Sequence, residues 1–128
     1  MVSPQGRQAM MRTDEAFAQI HEMMGSITRW SAALKEREDD TWNDEQRKLL
    51  SIVEEMAYDP ARWLTPMPST NVNIWKHDVL SPIIAISGAA ELLVEDFEKR
   101  PELYEYAKQI YDTSLSARQL VIDLAEKP

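Results

Sequence analysis

Residues 72–93 read VNIWKHDVLSPIIAISGAAELL, and the spacing of their apolar side chains decides the fold. Val72, Trp75, Val79, Pro82, Ile86, Ala89 and Leu93 recur at steps of three and four. That is the period of an α-helix with one apolar stripe, and its heptad form expects a second helix packed along the seam. With Val72, Val79 and Ile86 at position a, and Trp75, Pro82 and Ala89 at position d, His77 falls at position f, opposite the seam. Ile84 shares that position one heptad later, and Leu80 lies between the two on nearly the same face. Pro82 stands inside the helical pattern, where it removes one backbone hydrogen bond and crowds the preceding turn. A bend is expected there, at a cost of about 3 kcal/mol.

Downstream, the pattern closes at Phe97 and the chain turns at Glu98-Lys99-Arg100. Pro101-Glu102 is a good helix start. Leu103, Tyr106, Ile110, Ala117, Leu120 and Leu124 continue the same spacing, with Thr113 as the polar interruption. So short a turn makes the two helices antiparallel neighbours.

Upstream, Asp59-Pro60, Pro66 and Pro68 followed by Ser69-Thr70-Asn71 mark a linker. Trp63, Leu64 and Met67 within it are expected to pin it onto the helices. A helix before it starts at Asn43, with Gln46 three residues on in the pattern of a capping box. Its apolar side is Leu49, Leu50, Ile52, Val53 and Met56, and Asp59-Pro60 stops it. A first helix is predicted from Thr13, carrying Phe17, Ile20, Met24, Ile27 and Leu34, with Gly25 a weak point in its middle. Residues 1–12, with Pro4 and Gly6, read as frayed. The charged run Lys35–Asp40 reads as a solvated helix end.

The 128 residues suit one modest core, and 44% hydrophobic residues, three glycines and no alternating β-branched runs point to an all-α chain. A net charge of -8 repels phosphate backbones and anionic membranes, which argues against nucleic acid and membrane-surface partners. With no cysteine, disulfides, thiolate chemistry and cysteine zinc sites are excluded. His21 and His77 lie far apart in sequence and give a metal site little support. No leader or membrane anchor is apparent, and no stretch approaches the length needed to span a bilayer. The expected compartment is the cytoplasm.

The chemistry concentrates around His77. Asp78 projects about 100° around the helix from it, where a carboxylate can accept the second ring proton or raise the basicity of the imidazole. Ser81 is one turn on and faces the same way as His77. Two large aliphatics, Leu80 and Ile84, beside an outward histidine suit a docking patch for another protein.

Trp75-Lys76-His77-Asp78-Val79-Leu80-Ser81-Pro82-Ile83-Ile84 resembles the phospho-acceptor motif (H-box) of sensor histidine kinases, which runs roughly His-Asp/Glu-apolar-x-Thr/Asn-Pro-apolar. Ser87-Gly88-Ala89-Ala90-Glu91-Leu92-Leu93 resembles the Gly-x-x-Glu-Leu-Leu stretch that follows it, and Leu120-Val121-Ile122-Asp123-Leu124 resembles the end of the second helix. The likeness covers roughly residues 70–125, the dimerisation and histidine-phosphotransfer (DHp) segment. Leu80 departs from the family's usual Arg or other polar residue, and Ser81 from its Thr or Asn.

The resemblance implies that His77 accepts a phosphoryl group, that Asp78 tunes or deprotonates it, and that Ser81 orients a water. It implies a docking face of Leu80, Ile84 and Gly88 for the receiver domain of a response regulator, and partnership with a histidine kinase. Magnesium is expected in the receiver, and no cofactor is expected in this chain. No glycine-rich phosphate loop and no ATP-binding domain follow, so the protein is at most a phosphotransferase, natural or a fragment of a larger kinase.

Residues 1–65 are read as an N-terminal segment of two helices with linker, and residues 66–128 as the DHp-like hairpin. The expected fold is all-α: a helical hairpin forming an antiparallel four-helix bundle by homodimerisation, with extra N-terminal helices. The alternative arrangement is a monomeric bundle of all four helices. The alternative function is a non-catalytic DHp-like dimer that binds and regulates a kinase or response regulator. A third reading is a ligand-sensing helical protein whose four tryptophans line a pocket.

Overall fold

Asn43 begins a helix in the manner its sequence dictates. Its side chain accepts from the Gln46 backbone N–H at 2.8 Å, and the Gln46 side chain accepts from the Asn43 N–H at 2.9 Å. Two of the amides that a helix start leaves unpaired are thereby satisfied. The helix runs Asp44–Tyr58 and stops before Pro60, as expected.

The computed structural model describes the backbone of residues 4–126 and the side chains of residues 14–126. The described residues are helical throughout their regular structure, with no strand. The helices are α1 (Pro4–Glu36), α2 (Asp44–Tyr58), α3 (Val72–Asp96) and α4 (Pro101–Glu126), with a short 3-10 turn at Pro60–Arg62.

α1 begins earlier than its sequence suggests. It starts at Pro4 rather than near Thr13, and the expected frayed stretch is helical from Pro4 onward. A proline suits a first helical position, and Gln8, Ala9, Met10 and Met11 favour the helix, so the glycine at position 6 does not stop it.

α1 lies against α2 and α4, and α3 lies against the same two helices. Buried residues from all four helices form a single apolar cluster, from Ile20 and Met24 through Val53 and Val79 to Ile110 and Val121. At one end, Trp42 packs on Phe97 with ring centroids 5.0 Å apart, and at the other Phe17 meets Trp75 at 6.3 Å. The linker is pinned as expected. Leu64 is buried, Met67 packs on the core, and the Trp63 indole N–H donates to the Met56 carbonyl at 2.9 Å. The Trp75 indole donates to the Thr65 carbonyl at 2.8 Å.

The seam of α3 follows its heptad reading with one slip. Trp75, Val79, Ile86, Ala89 and Leu93 are buried, but beside the proline it is Ile83 that enters the core, while Pro82 and Val72 are half-buried. An unsupercoiled helix drifts from a strict seven-residue repeat, and Ile83 and Ala90 take up the drift. α3 is assigned helix without a break through Pro82. The polar interruption differs too. Ser114, not Thr113, is buried, and its hydroxyl meets that of Ser87 at 2.8 Å between α3 and α4.

Against the sequence expectation, α3 is long and apolar enough to cross a bilayer by length and composition, with a mean hydropathy of 1.4 over its most apolar window, 39% of it buried. The cause is a charge-free run between Asp78 and Glu91, which serves both the core and the outer face of the helix. A core helix passes such a test as readily as a membrane one.

The charged run after α1 is more than a solvated end. Arg37 donates to Glu102 at the start of α4 and lies 4.8 Å over the Tyr106 ring. Arg100 donates to Thr41 at 2.7 Å, and a hydrogen bond from the Thr41 hydroxyl holds the Asp39 carboxyl below its ordinary value. These contacts tie the α1–α2 connection to the α3–α4 turn.

Candidate functional site

α3 starts from Asn71, which adopts a left-handed backbone (φ 57°, ψ 38°) that asparagine tolerates better than most residues. No side chain caps this start. The Asn71 carbonyl accepts from the Ile74 and Trp75 amides, and Trp75 is anchored both in the core and on the linker. This fixes the rotation of the helix, and His77, two residues on, is directed outward.

The His77 side chain is 82% exposed. Asp78 is exposed beside it, with Oδ1 3.6 Å from His77 Nδ1. That separation exceeds a hydrogen bond and suits a through-space interaction with a charged ring. Ser81 is exposed, and its hydroxyl donates to the His77 carbonyl at 2.9 Å. The serine proton is thus used within the helix, and the oxygen lone pairs face solvent.

The remaining residues expected at the site divide. Ile84 is 48% exposed and Gly88 is open, with nothing within 4 Å of where a side chain would begin. Leu80 is half-buried and packs on the core, so it supports the outer face rather than forming it. Ile74 (63% exposed) and Leu92 (44%) were not singled out by the sequence reading. Ile74 lies three residues before His77 and Leu92 four after Gly88. The spacing that links His77, Ser81, Ile84 and Gly88 therefore also reaches both of them. The outer face of α3 is a stripe of Ile74, His77, Ser81, Ile84, Gly88 and Leu92. It is apolar at both ends and in the middle, and it carries a free imidazole.

Among the described residues no group of three or more His, Cys, Asp and Glu side chains is placed to hold a metal ion. Chemically, the stripe offers one accessible ring nitrogen, one carboxylate near the other, and a partly apolar exposed face.

No protein-family model, curated protein or solved structure matches this chain.

Proposed function

We propose that the protein is a histidine phosphotransfer module of two-component or phosphorelay signalling, with His77 as the acceptor. The observation that carries this reading is the exposed His77 ring beside Asp78, in the middle of an accessible, partly apolar helix face. The H-box-like order His77-Asp78…Ser81-Pro82 gives it its chemical direction.

In the proposed step, His77 Nε2 attacks the phosphorus of an aspartyl phosphate on a receiver domain. The P–O bond to that aspartate breaks, and its carboxylate leaves with the bonding pair. The resulting phosphoimidazolium sheds the Nδ1 proton toward Asp78 or water. Asp78, on the Nδ1 side, balances the transient positive charge through space. Ile84 and Gly88 form the docking face, with Ile74 and Leu92 extending it. Magnesium neutralising the moving phosphoryl charge belongs to the receiver. Ser81 is a weak candidate for orienting water, because its proton is already donated. This reading goes with a cytoplasmic protein and with a receiver or histidine kinase as partner.

Of the two arrangements expected for the fold, we favour the single-chain four-helix bundle. α1 and α2 rest on α4 and α3, along the seam that a second hairpin would otherwise cover.

The test is phosphoryl transfer from a receiver domain radiolabelled on its aspartate. Label is expected to pass to the wild-type chain as an acid-labile, alkali-stable adduct, and to be absent from His77→Ala. Asp78→Asn is expected to slow transfer by about tenfold, less than loss of a general base costs, because the carboxylate is exposed. A second reading draws on the apolar exposure of Ile74, Ile84 and Leu92, namely a non-catalytic module that binds a receiver or kinase. Binding without labelling, unchanged in His77→Ala, would select that reading.

A further inference from the structure

Residues 72–81, the part of α3 that carries His77, have a weak point at each end. At the start, Asn71 provides no side-chain cap and adopts the left-handed backbone (φ 57°), and the first turn carries no acidic residue. The start of α2, by contrast, has a full capping box and two acidic residues, Asp44 and Glu45. α3 thus begins without either of the devices that commonly hold a helix N-terminus. At the other end, Pro82 has no N–H to donate to the Asp78 carbonyl four residues back, so the backbone ladder is interrupted there. Ser81 turns its hydroxyl back to the His77 carbonyl at 2.9 Å, a bond that slightly loosens helices.

The two halves of α3 are also held unequally. After the proline, Ile83, Ile86, Ala89, Ala90 and Leu93 are buried, and Ser87 is bonded across to Ser114. Before it, the buried side chains are Trp75 and Val79. Trp75 is held from outside its own helix. Its ring meets Phe17 of α1, and its indole N–H donates to the Thr65 carbonyl in the linker at 2.8 Å. Thr65 precedes Pro66, which restricts its backbone to the extended region and narrows the directions its carbonyl can take.

We propose that residues 72–81 form a latched unit that opens and closes as one, with the Trp75–Thr65 bond as the latch. Few buried side chains and interrupted backbone bonding at both ends mark the low-stability part of a helix, while residues 83–93 stay with the core. In the closed state His77, Ser81, Ile84 and Gly88 lie in one stripe. Opening takes His77 and Ser81 out of line with Ile84 and Gly88, so the linker governs the order of the histidine face. A role for the latch in gating phosphoryl transfer rests on the phosphotransfer reading; the opening itself does not.

The experiment is native-state hydrogen exchange on the full chain at rising, sub-denaturing urea. It uses no phosphoryl donor, so its failure and the failure of the phosphotransfer reading are distinguishable. The amides of residues 76–81 are expected to share one opening equilibrium and to be at least about a hundredfold less protected than those of residues 86–93. Trp75→Phe removes the indole donor and keeps an aromatic ring. It is expected to speed exchange of residues 76–81 by about five- to tenfold, the value of one lost hydrogen bond, and to leave residues 86–93 within about twofold. Pro82→Ala restores the missing donor and is expected to slow exchange of residues 76–81 by at least about tenfold. Equal protection of residues 76–81 and 86–93 in the wild type, acceleration spread evenly over all helices in Trp75→Phe, or exchange of residues 76–81 unmoved by Pro82→Ala would each overturn the proposal.

Discussion

Ser87 and Ser114 show how a single residue pair can specify how two helices meet. Both are buried, and each hydroxyl also reaches a carbonyl of its own helix, Ile83 and Tyr111 respectively. Removing one leaves the other satisfied only in part, so Ser87→Ala is expected to cost about 1 kcal/mol. Ser87→Ala/Ser114→Ala together are expected to cost clearly less than the sum of the single changes, because neither alanine leaves an orphan. Urea unfolding of the four members of this cycle measures the coupling, and strict additivity would show that the pair does not act as one unit. Neither serine stood out in the sequence. Each interrupts an apolar stripe with a small polar residue, and only the packed hairpin reveals that the two interruptions coincide. His77 is the opposite case. Its outward direction followed from the heptad register alone, because six flanking apolar positions fixed the rotation of the helix. Ile74 and Leu92 lie outside the part of the motif that carries the chemistry, although the same spacing reaches both.

At the scale of the helix, local chemistry was legible where it is self-contained. The Asn43–Gln46 box, the stop at Asp59-Pro60 and the turn before Pro101 each follow from backbone requirements of a few adjacent residues. The start of α1 was not, because Pro4 and Gly6 are signals of opposite use at a helix start and in a loop. Gly25 gives the direct test of this level. It lies mid-helix with an ordinary negative φ, and an added Cβ would meet only the tip of Arg29 at 3.7 Å. Its freedom in the unfolded chain therefore serves no visible contact. Gly25→Ala is expected to stabilise the protein by about 0.5–1 kcal/mol, read as a higher denaturation midpoint at unchanged slope. A loss of stability would mean that the neighbouring helix needs the closer approach that glycine allows.

For the whole molecule, the deciding question is which surfaces are already covered. A hairpin of α3 and α4 alone leaves an apolar seam that two helices cannot bury, which is why the sequence of the hairpin by itself points to a second copy. In the folded chain, α2 packs on α3 and α1 on α4, and side chains from α1 and α2 (Ile20, Ile27, Leu50 and Val53) join the same buried cluster as Val79, Ile86, Ile110 and Val121. The N-terminal half is thus part of the core around the histidine helix. A net charge of -8 adds mutual repulsion between copies. Among the described residues the large exposed apolar side chains are Tyr58, Ile74, Ile84, Leu92 and Leu115, spread over three helices rather than gathered in one broad patch, as suits a transient partner better than a permanent one. The full chain is therefore expected to sediment as a monomer at micromolar concentration, and its thermal midpoint is expected to stay constant over a hundredfold dilution, since only an obligate dimer couples folding to protein concentration. A midpoint that falls on dilution, together with a two-chain mass, would return the symmetric hairpin dimer to the centre of the argument. The stripe of His77, Ile84 and Gly88 would then have to be sought on the outside of that assembly.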